Sequence, residues 1–236
     1  MTFLERLLLK FKFRLWAPLR ANRFHSYRLS HSLFGEDMVV ASLLGKRRSG
    51  FYVDAGAHHP IFDSNTYHFY SLGWRGINID AAPGSMDAFR VLRPRDVNIE
   101  ACISTQNKTE TFYMFDSAEY NTIDPRMAEQ AKQAGRVLKG TCEVQAVTLD
   151  RLLDQYVPAG AQIDYLNIDI EGLDELVLRS LDWTRYRPSV ISFEYHAGEV
   201  GDVQQIPAIR FLHDKGYRFE GKCGSTFIVS RLTDSQ

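Results

Sequence analysis

Three cysteines in 236 residues, Cys102, Cys142 and Cys223, make no CxxC pair and no even-numbered framework. That scarcity excludes a disulfide scaffold and a zinc ribbon and fits a reducing compartment, so a cytoplasmic location is expected. No apolar run approaches the ~18 residues that a membrane-spanning helix requires. GxGxxG is absent, which leaves no glycine-rich loop to cradle a pyrophosphate at a helix N-terminus and disfavours a nicotinamide dehydrogenase. HExxH and paired Cys–His sets are missing too, so spacing assigns no metal site. The composition, 44% hydrophobic and 24% charged, suits neither disorder nor collagen nor coiled coil. A soluble globular chain is what remains, long enough to bury roughly 70% of its unfolded surface without staples.

A strong overall charge is also lacking, since the formal net charge is −1. Its distribution is uneven. Residues 1–30 hold Arg6, Lys10, Lys12, Arg14, Arg20, Arg23 and Arg28 against Glu5 alone, a net +6, which leaves −7 for the rest. Leu4, Leu8, Phe11 and Leu15 recur at helical spacing among those basic residues. Residues 1–33 therefore read as a basic amphipathic segment that either packs on the neighbouring domain or meets an anionic surface, such as the inner face of a membrane. The acidic remainder, 34–236, reads as one domain that repels phosphates, which argues against a nucleic-acid partner.

From residue 34 strands alternate with helices. The pattern predicts helices over 34–44, 66–72, 173–181 and 203–215, and strands over 51–54, 76–80, 97–104, 163–170 and 190–195. Segments 217–220 and 226–230 read as a closing hairpin around Gly221 and Gly224. This alternation predicts right-handed βαβ units and an α/β fold with a mostly parallel sheet covered on both faces. The missing crossover between the last two strands predicts one antiparallel edge. Residues 104–147 break the rhythm, with a strand-like TETFYMF and a helix-like stretch near 125–138, and read as an insertion over the sheet's carboxyl edge.

Ligands of open parallel sheets bind beyond the carboxyl ends of the strands. The first strand ends in Asp54-Ala55-Gly56-Ala57-His58-His59, where Gly56 lets a ligand approach the backbone and Asp54 can accept hydrogen bonds. Asp80 ends the second strand roughly 20–30 positions on, where a nucleotide ribose presents its hydroxyls. Ribose recognition without a phosphate loop points to S-adenosylmethionine. Asn167-Ile168-Asp169-Ile170-Glu171-Gly172 and Ser192-Phe193-Glu194-Tyr195-His196 end two further strands. If those strands are neighbours, Asp169, Glu171, Glu194 and His196 converge. Buried carboxylates cost several kcal/mol each unless a proton, a basic group, a metal or a cationic ligand relieves them, and such clusters gather at active sites.

The run Gly35-Glu36-Asp37, 51–60, Ser64-Asn65-Thr66 and 73–80 resembles the FkbM-type methyltransferases, as do Asn121-Thr122, Val147-Thr148-Leu149-Asp150 and 167–172. The resemblance covers about residues 35–196. It implies a class I, Rossmann-like fold, with S-adenosylmethionine as cofactor and a hydroxyl of a sugar, glycan or natural product as methyl acceptor. Asp54, Gly56 and Ala57 would line the methionine side, with His58 beside them. Asp80, where the family often has Glu, would hold the ribose, next to Ala81. Glu100, Ala101 and Cys102 would frame the adenine, and Asn65 and Thr66 would contact the cofactor or close its pocket. Asp169 would serve both cofactor and chemistry. Hydroxyl methylation benefits from positioning and a general base. Asp169, Glu194 or His196 are the candidates, with His58 and His59 behind them and Glu171 orienting. The insertion, with Tyr113, Tyr120 and Asn121, would be the substrate lid; Trp74 reads as core. Two alternatives stay open: a divalent metal at Asp169, Glu171 and Glu194 that assists the transfer, and a non-catalytic S-adenosylmethionine-binding interaction module.

Overall fold

The computed structural model describes residues 29–45, 47–195 and 203–232. Most of the basic segment, and His196, lie outside these residues. The domain opens with α1 (Glu36–Leu44), then β1 (Phe51–Ala55), α2 (Tyr67–Ser71), β2 (Arg75–Asp80), α3 (Met86–Leu92) and β3 (Val97–Glu100). An insertion follows, with β4 (Cys102–Ile103), β5 (Lys108–Phe115), α4 (Pro125–Gln133) and β6 (Leu138–Val147). The chain ends through α5 (Leu149–Tyr156), β7 (Tyr165–Ile168), α6 (Asp174–Ser180), β8 (Val190–Glu194), α7 (Pro207–Asp214), β9 (Tyr217–Cys223) and β10 (Thr226–Arg231).

The main sheet has seven strands in the order β3-β2-β1-β7-β8-β10-β9. Its first five strands are parallel, and β10 pairs antiparallel with both β8 and β9. This is the mostly parallel sheet with an antiparallel edge that the class I methyltransferase fold implies. Pleating sends alternate residues to opposite faces. Val53, Ala55, Ile77, Ile79, Leu166, Ile168, Ile191 and Phe193 share one face and pack on Leu152 and Leu153 of α5, Val177 and Leu178 of α6, and Ile209 and Leu212 of α7. Tyr52, Tyr165 and Val190 share the other face with Val40 and Leu44 of α1, Phe69 and Tyr70 of α2, and Trp74. Each large apolar side chain buried this way contributes roughly 1.5–3 kcal/mol. Trp74 is 2% exposed and lies 5.0 Å, ring to ring, from Phe69, so it is core.

Three elements differ from the sequence pattern. The strand expected over 97–104 divides: β3 stays in the main sheet, whereas β4 leaves it to pair with β6 in a second, three-stranded sheet of order β4-β6-β5. The helix expected toward residue 138 stops at Gln133, and the alternating segment after it is the ten-residue strand β6. Helix α5 has no counterpart among the expected elements. Its signals are local nonetheless: the Thr148 hydroxyl accepts from the Arg151 amide, and Leu149, Leu152 and Leu153 are buried at helical spacing.

Candidate active site

Beneath the carboxyl edge of the sheet runs a row of polar residues in register. Strand pairing sets Asn98 opposite Asn78, Asn78 opposite Asp54, Asp54 opposite Asn167, and Asn167 opposite Ser192. All five lie on the face shared with Tyr52 and Tyr165. The Asn167 amide donates to Asp54 (2.9 Å), and its carbonyl accepts from Ser192 (2.6 Å) and Asn65 (3.2 Å). Thr66 donates to the other Asp54 oxygen at 2.5 Å. Burial raises the Asp54 pKa, and the Thr66 hydrogen bond and the Arg93 charge oppose that rise.

Arg93 is the cation of this layer. Its side chain is fully buried, donates to the Tyr52 hydroxyl (2.6 Å) and to Thr66 (3.0 Å), and pairs with Asp96 at 2.8 Å. Asp96 accepts as well from Tyr52, the Gly76 amide and Asn78. Every partner of this buried pair is thus hydrogen-bonded, the condition under which a buried ion pair is tolerable. Nothing in the spacing of Arg93 marks it; only the fold brings this residue, at the end of α3, to Tyr52 of β1 and to Thr66.

Above the row opens a cleft of about 630 Å³. Its floor depends on Gly56, whose φ is +87°. A Cβ there would lie 1.6 Å from the carbonyl oxygen of Asp169, so the ends of β1 and β7 meet where only glycine fits. The amides of Gly56 and Ala57 both donate to the Ile79 carbonyl (2.9 and 3.0 Å). Asp80 closes the next turn, accepting from the amides of His58 (3.1 Å) and Ala82 (2.9 Å). Burial raises its pKa, and the Ala82 amide opposes this. A carboxylate offers about four acceptor sites, so acceptor capacity remains for a ligand's hydroxyl.

Across the cleft, Asp169, Glu171 and Glu194 bring one carboxylate oxygen each within 4.8 Å of one another. Glu171 sits in a left-handed turn with φ +55°, so strand alternation no longer sets its direction. Burial first, then the charges of Asp169 and Glu194, push its carboxyl up to about 10. It is therefore protonated at neutral pH in the absence of a cation. Asp174, fully enclosed behind it, is raised in the same direction by burial and by Glu194, and accepts from the Glu194 amide. The Glu194 carboxylate accepts from the Ser225 hydroxyl at 2.7 Å.

The insertion forms the opposite wall. Thr122 donates to the Glu171 carbonyl at 2.9 Å, and Phe112 and Asn121 line the cleft. Tyr113 and Tyr120 do not line it; they pack on Phe115 with Ala128 and Ala131 of α4, and Arg136 bonds the Tyr120 hydroxyl. Of the insertion's aromatic residues, Phe112 is the one that lines the cleft.

Of the residues singled out from sequence, Asp54, Gly56, Ala57, His58, Asn65, Asp80, Ala81, Ala101, Cys102, Asp169, Glu171 and Glu194 all line this one cleft. Thr66 does not reach it: fully buried, it supports Asp54 from below. Glu100 is exposed and not itself a lining residue; its carboxylate accepts from the amide of Gly84, which lines the cleft (2.9 Å). The His59 ring accepts from the amides of Ile61 and Phe62 and so shapes the loop after β1. Arg93 carries no sequence signal that marks it as a site residue; Ser192 and Thr122 stand in segments singled out from sequence, but only the fold gives them their contacts to Asn167 and to the Glu171 carbonyl.

The cleft suits a ligand with a ribose, no phosphates and a positive charge. Asp80 offers acceptors for hydroxyls, and the carboxylates of Asp169, Glu171 and Glu194 opposite favour a cation. This α/β sheet with its site at the switch between β1 and β7 is that of an S-adenosylmethionine-dependent methyltransferase. The family model described as the methyltransferase FkbM domain matches residues 54–219, well over half of the chain. The protein belongs to the FkbM methyltransferase family.

Solved structures similar to the chain include a TehB-like S-adenosylmethionine-dependent methyltransferase from Corynebacterium glutamicum, at 12% identity, 95% coverage of this chain, 96% of that one and a TM-score of 0.41. An O-methyltransferase from Bacillus cereus in complex with S-adenosylhomocysteine is similar at 13% identity, 94% and 90% coverage, and a TM-score of 0.41. No curated protein matched the chain.

Proposed function

We propose that the enzyme transfers a methyl group to a hydroxyl of a sugar, glycan or natural-product acceptor. The observation that carries this reading is the carboxylate cluster facing the cofactor cleft. A hydroxyl is a weak nucleophile and gains from a base within hydrogen-bond reach. Asp169 and Glu194 can take that proton. Glu171, held neutral, donates a hydrogen bond and orients the acceptor or the base. When bound, S-adenosylmethionine supplies an electrophilic methyl group. Asp80 would hold its ribose, and Ala101 and Cys102 would border its base. The domain's walls, Phe112 and Asn121 on one side and the sheet edge on the other, would exclude water and position the acceptor, the larger share of the work in a displacement of this kind.

The test is a product screen with methyl-labelled S-adenosylmethionine against sugars, glycans, lipid-linked sugars and polyketides. Label in a hydroxyl-derived methyl ether supports the reading; label only on nitrogen, sulfur or carbon refutes it. Asp169→Asn should lower kcat at least a hundredfold and change cofactor affinity less than threefold. A second reading, favoured by the mutual approach of Asp169, Glu171 and Glu194, adds a divalent ion that polarises the acceptor oxygen. Exhaustive chelation decides between them: activity that survives chelation excludes the metal, and activity lost to chelation but restored by Mg²⁺ or Mn²⁺ requires it.

A further inference from the structure

Arg93, the residue that ends α3, reaches Asp54 through a single hydroxyl, that of Thr66. Thr66 stands at the N-cap position of α2, where a threonine side chain ordinarily accepts from an amide of the first turn. It makes no such bond here, and the Ser64 hydroxyl accepts from the Tyr67 amide in its place (3.2 Å). Both terminal nitrogens of Arg93 lie 3.0 Å from the Thr66 oxygen instead. A hydroxyl has two acceptor lone pairs and one proton. The guanidinium takes both lone pairs, so the proton has one direction left, and Thr66 donates it to Asp54 at 2.5 Å. Arg93 is itself held on every side. Its side chain is fully buried, bonds Asp96 and Tyr52, and stands over the rings of Tyr52, Tyr70 and Phe89 at 5.2, 5.2 and 5.5 Å.

We infer that Arg93, acting through the Thr66 hydroxyl, is a positioning residue that holds Asp54 as an ionised acceptor for the ammonium group at the methionine end of S-adenosylmethionine. The inference rests on S-adenosylmethionine as the cofactor and extends that reading to the buried layer beneath the cleft.

The charges of the layer call for a cation from the cleft. Arg93 serves two carboxylates, Asp96 by direct pairing and Asp54 through Thr66, so one negative charge is left over. Asp54 is the carboxylate of the two that lines the cleft. Its oxygens accept from Thr66 and Asn167, which leaves acceptor capacity toward a ligand. Burial alone drives Asp54 toward its neutral acid. The Thr66 bond, the Arg93 charge and the Asn167 bond oppose that drive, and the charge of Asp80 adds to it. A buried charge without a partner is costly, and an ammonium group arriving from the cleft relieves it. Without the Thr66 bond and the charge behind it, Asp54 loses both the orientation and the ionisation that an ammonium needs.

The test is calorimetry of the full chain with S-adenosylhomocysteine and with its deamino analogue, which keeps the adenosine and the carboxylate but lacks the ammonium. Three variants accompany the parent. Thr66→Val keeps the shape of the side chain and removes the hydroxyl, Thr66→Ser restores the hydroxyl, and Arg93→Lys keeps a charge and loses the fork. Near-UV circular dichroism checks each fold. The parent should prefer S-adenosylhomocysteine over the analogue at least tenfold, the scale of a hydrogen bond to a charged group. Thr66→Val should reduce that preference at least fivefold and change the affinity for the analogue less than twofold. Thr66→Ser should return the preference to within twofold of the parent. Arg93→Lys should reduce it in the same way, and adding Thr66→Val to Arg93→Lys should reduce it no further than Thr66→Val alone. A purely structural Thr66 would weaken both ligands alike, and that result overturns the proposal. So does a preference that Thr66→Val leaves intact, and so do effects of Arg93 and Thr66 that add in full. Where Arg93→Lys does not fold, the two Thr66 variants decide alone. A parent that binds both ligands equally refutes only the role of Asp54, whereas a parent that binds neither refutes S-adenosylmethionine as the cofactor.

Discussion

Replacing Gly56 by alanine tests the closest approach in the site. Two costs add. The backbone there has φ +87°, which an L residue adopts at about 1–2 kcal/mol. The new Cβ would also lie 1.6 Å from the Asp169 carbonyl oxygen, which belongs to backbone and cannot swing aside. Forcing extra volume into a packed position typically costs 1–3 kcal/mol. The sum is about 2–5 kcal/mol, and the ends of β1 and β7 must part to accommodate it. Gly73→Ala separates the two costs, because Gly73 has φ +100° and an added Cβ would meet no atom within 4 Å. It should lose about 1–2 kcal/mol only. Urea unfolding with linear extrapolation measures both variants. For a chain this size each kcal/mol shifts Tm by about 2–4 °C. Gly56→Ala should in addition weaken S-adenosylmethionine binding at least tenfold, since Gly56 and Asp169 both line the cleft, while Gly73→Ala should leave it unchanged. Equal unfolding midpoints for the two variants would refute the backbone contact between β1 and β7.

Other expectations concern the buried charges. Arg93→Met leaves Asp96 buried without its cation and should destabilise the fold by about 3–5 kcal/mol, as seen by thermal or urea unfolding; a loss below 1 kcal/mol would show that the pair is not enclosed. Glu171 has a folded-state pKa pushed up to about 10, against 4.5 ordinarily. The folded state therefore holds a proton that the unfolded state releases, and this contribution to stability is complete below pH 4.5 and is lost as pH rises toward 10. The slope is at most about 1.4 kcal/mol per pH unit. Glu171→Gln removes the titration, so its stability relative to the parent should rise between pH 5 and pH 9; parallel pH profiles would contradict the assignment.

Much of the main sheet was legible because β1, β2, β7 and β8 are short apolar runs ended by polar residues and separated by helices. The candidate site was legible for the same reason: Asp54, Gly56, Asp80, Asp169, Glu171 and Glu194 stand at strand ends, and a parallel sheet collects its strand ends at one edge. What could not be read were properties of register and of distant contact. The alignment of Asn78, Asp54, Asn167 and Ser192 depends on how the strands slide past one another, which no local pattern states. Arg93 looks like a surface arginine at the end of α3 until the fold closes over it. The family resemblance puts Thr66 and Glu100 at the cofactor; in the fold Thr66 bonds Asp54 below the cleft, and the Glu100 carboxylate accepts from the amide of Gly84, which lines it. The insertion shows in the sequence as a broken rhythm, and β6 carries the alternation of a strand, but its pairing with β4 and β5 over long separations is not written in any local pattern.

Above all, the cleft between β1, β2 and β7 should bind S-adenosylmethionine with Asp80 at its ribose. Isothermal titration calorimetry of the full chain and of Asp80→Ala with S-adenosylmethionine and S-adenosylhomocysteine measures it directly. Micromolar binding by the parent, weakened at least tenfold in a folded Asp80→Ala variant, is the expected result. No binding by the parent, or equal affinity in the variant, would contradict it.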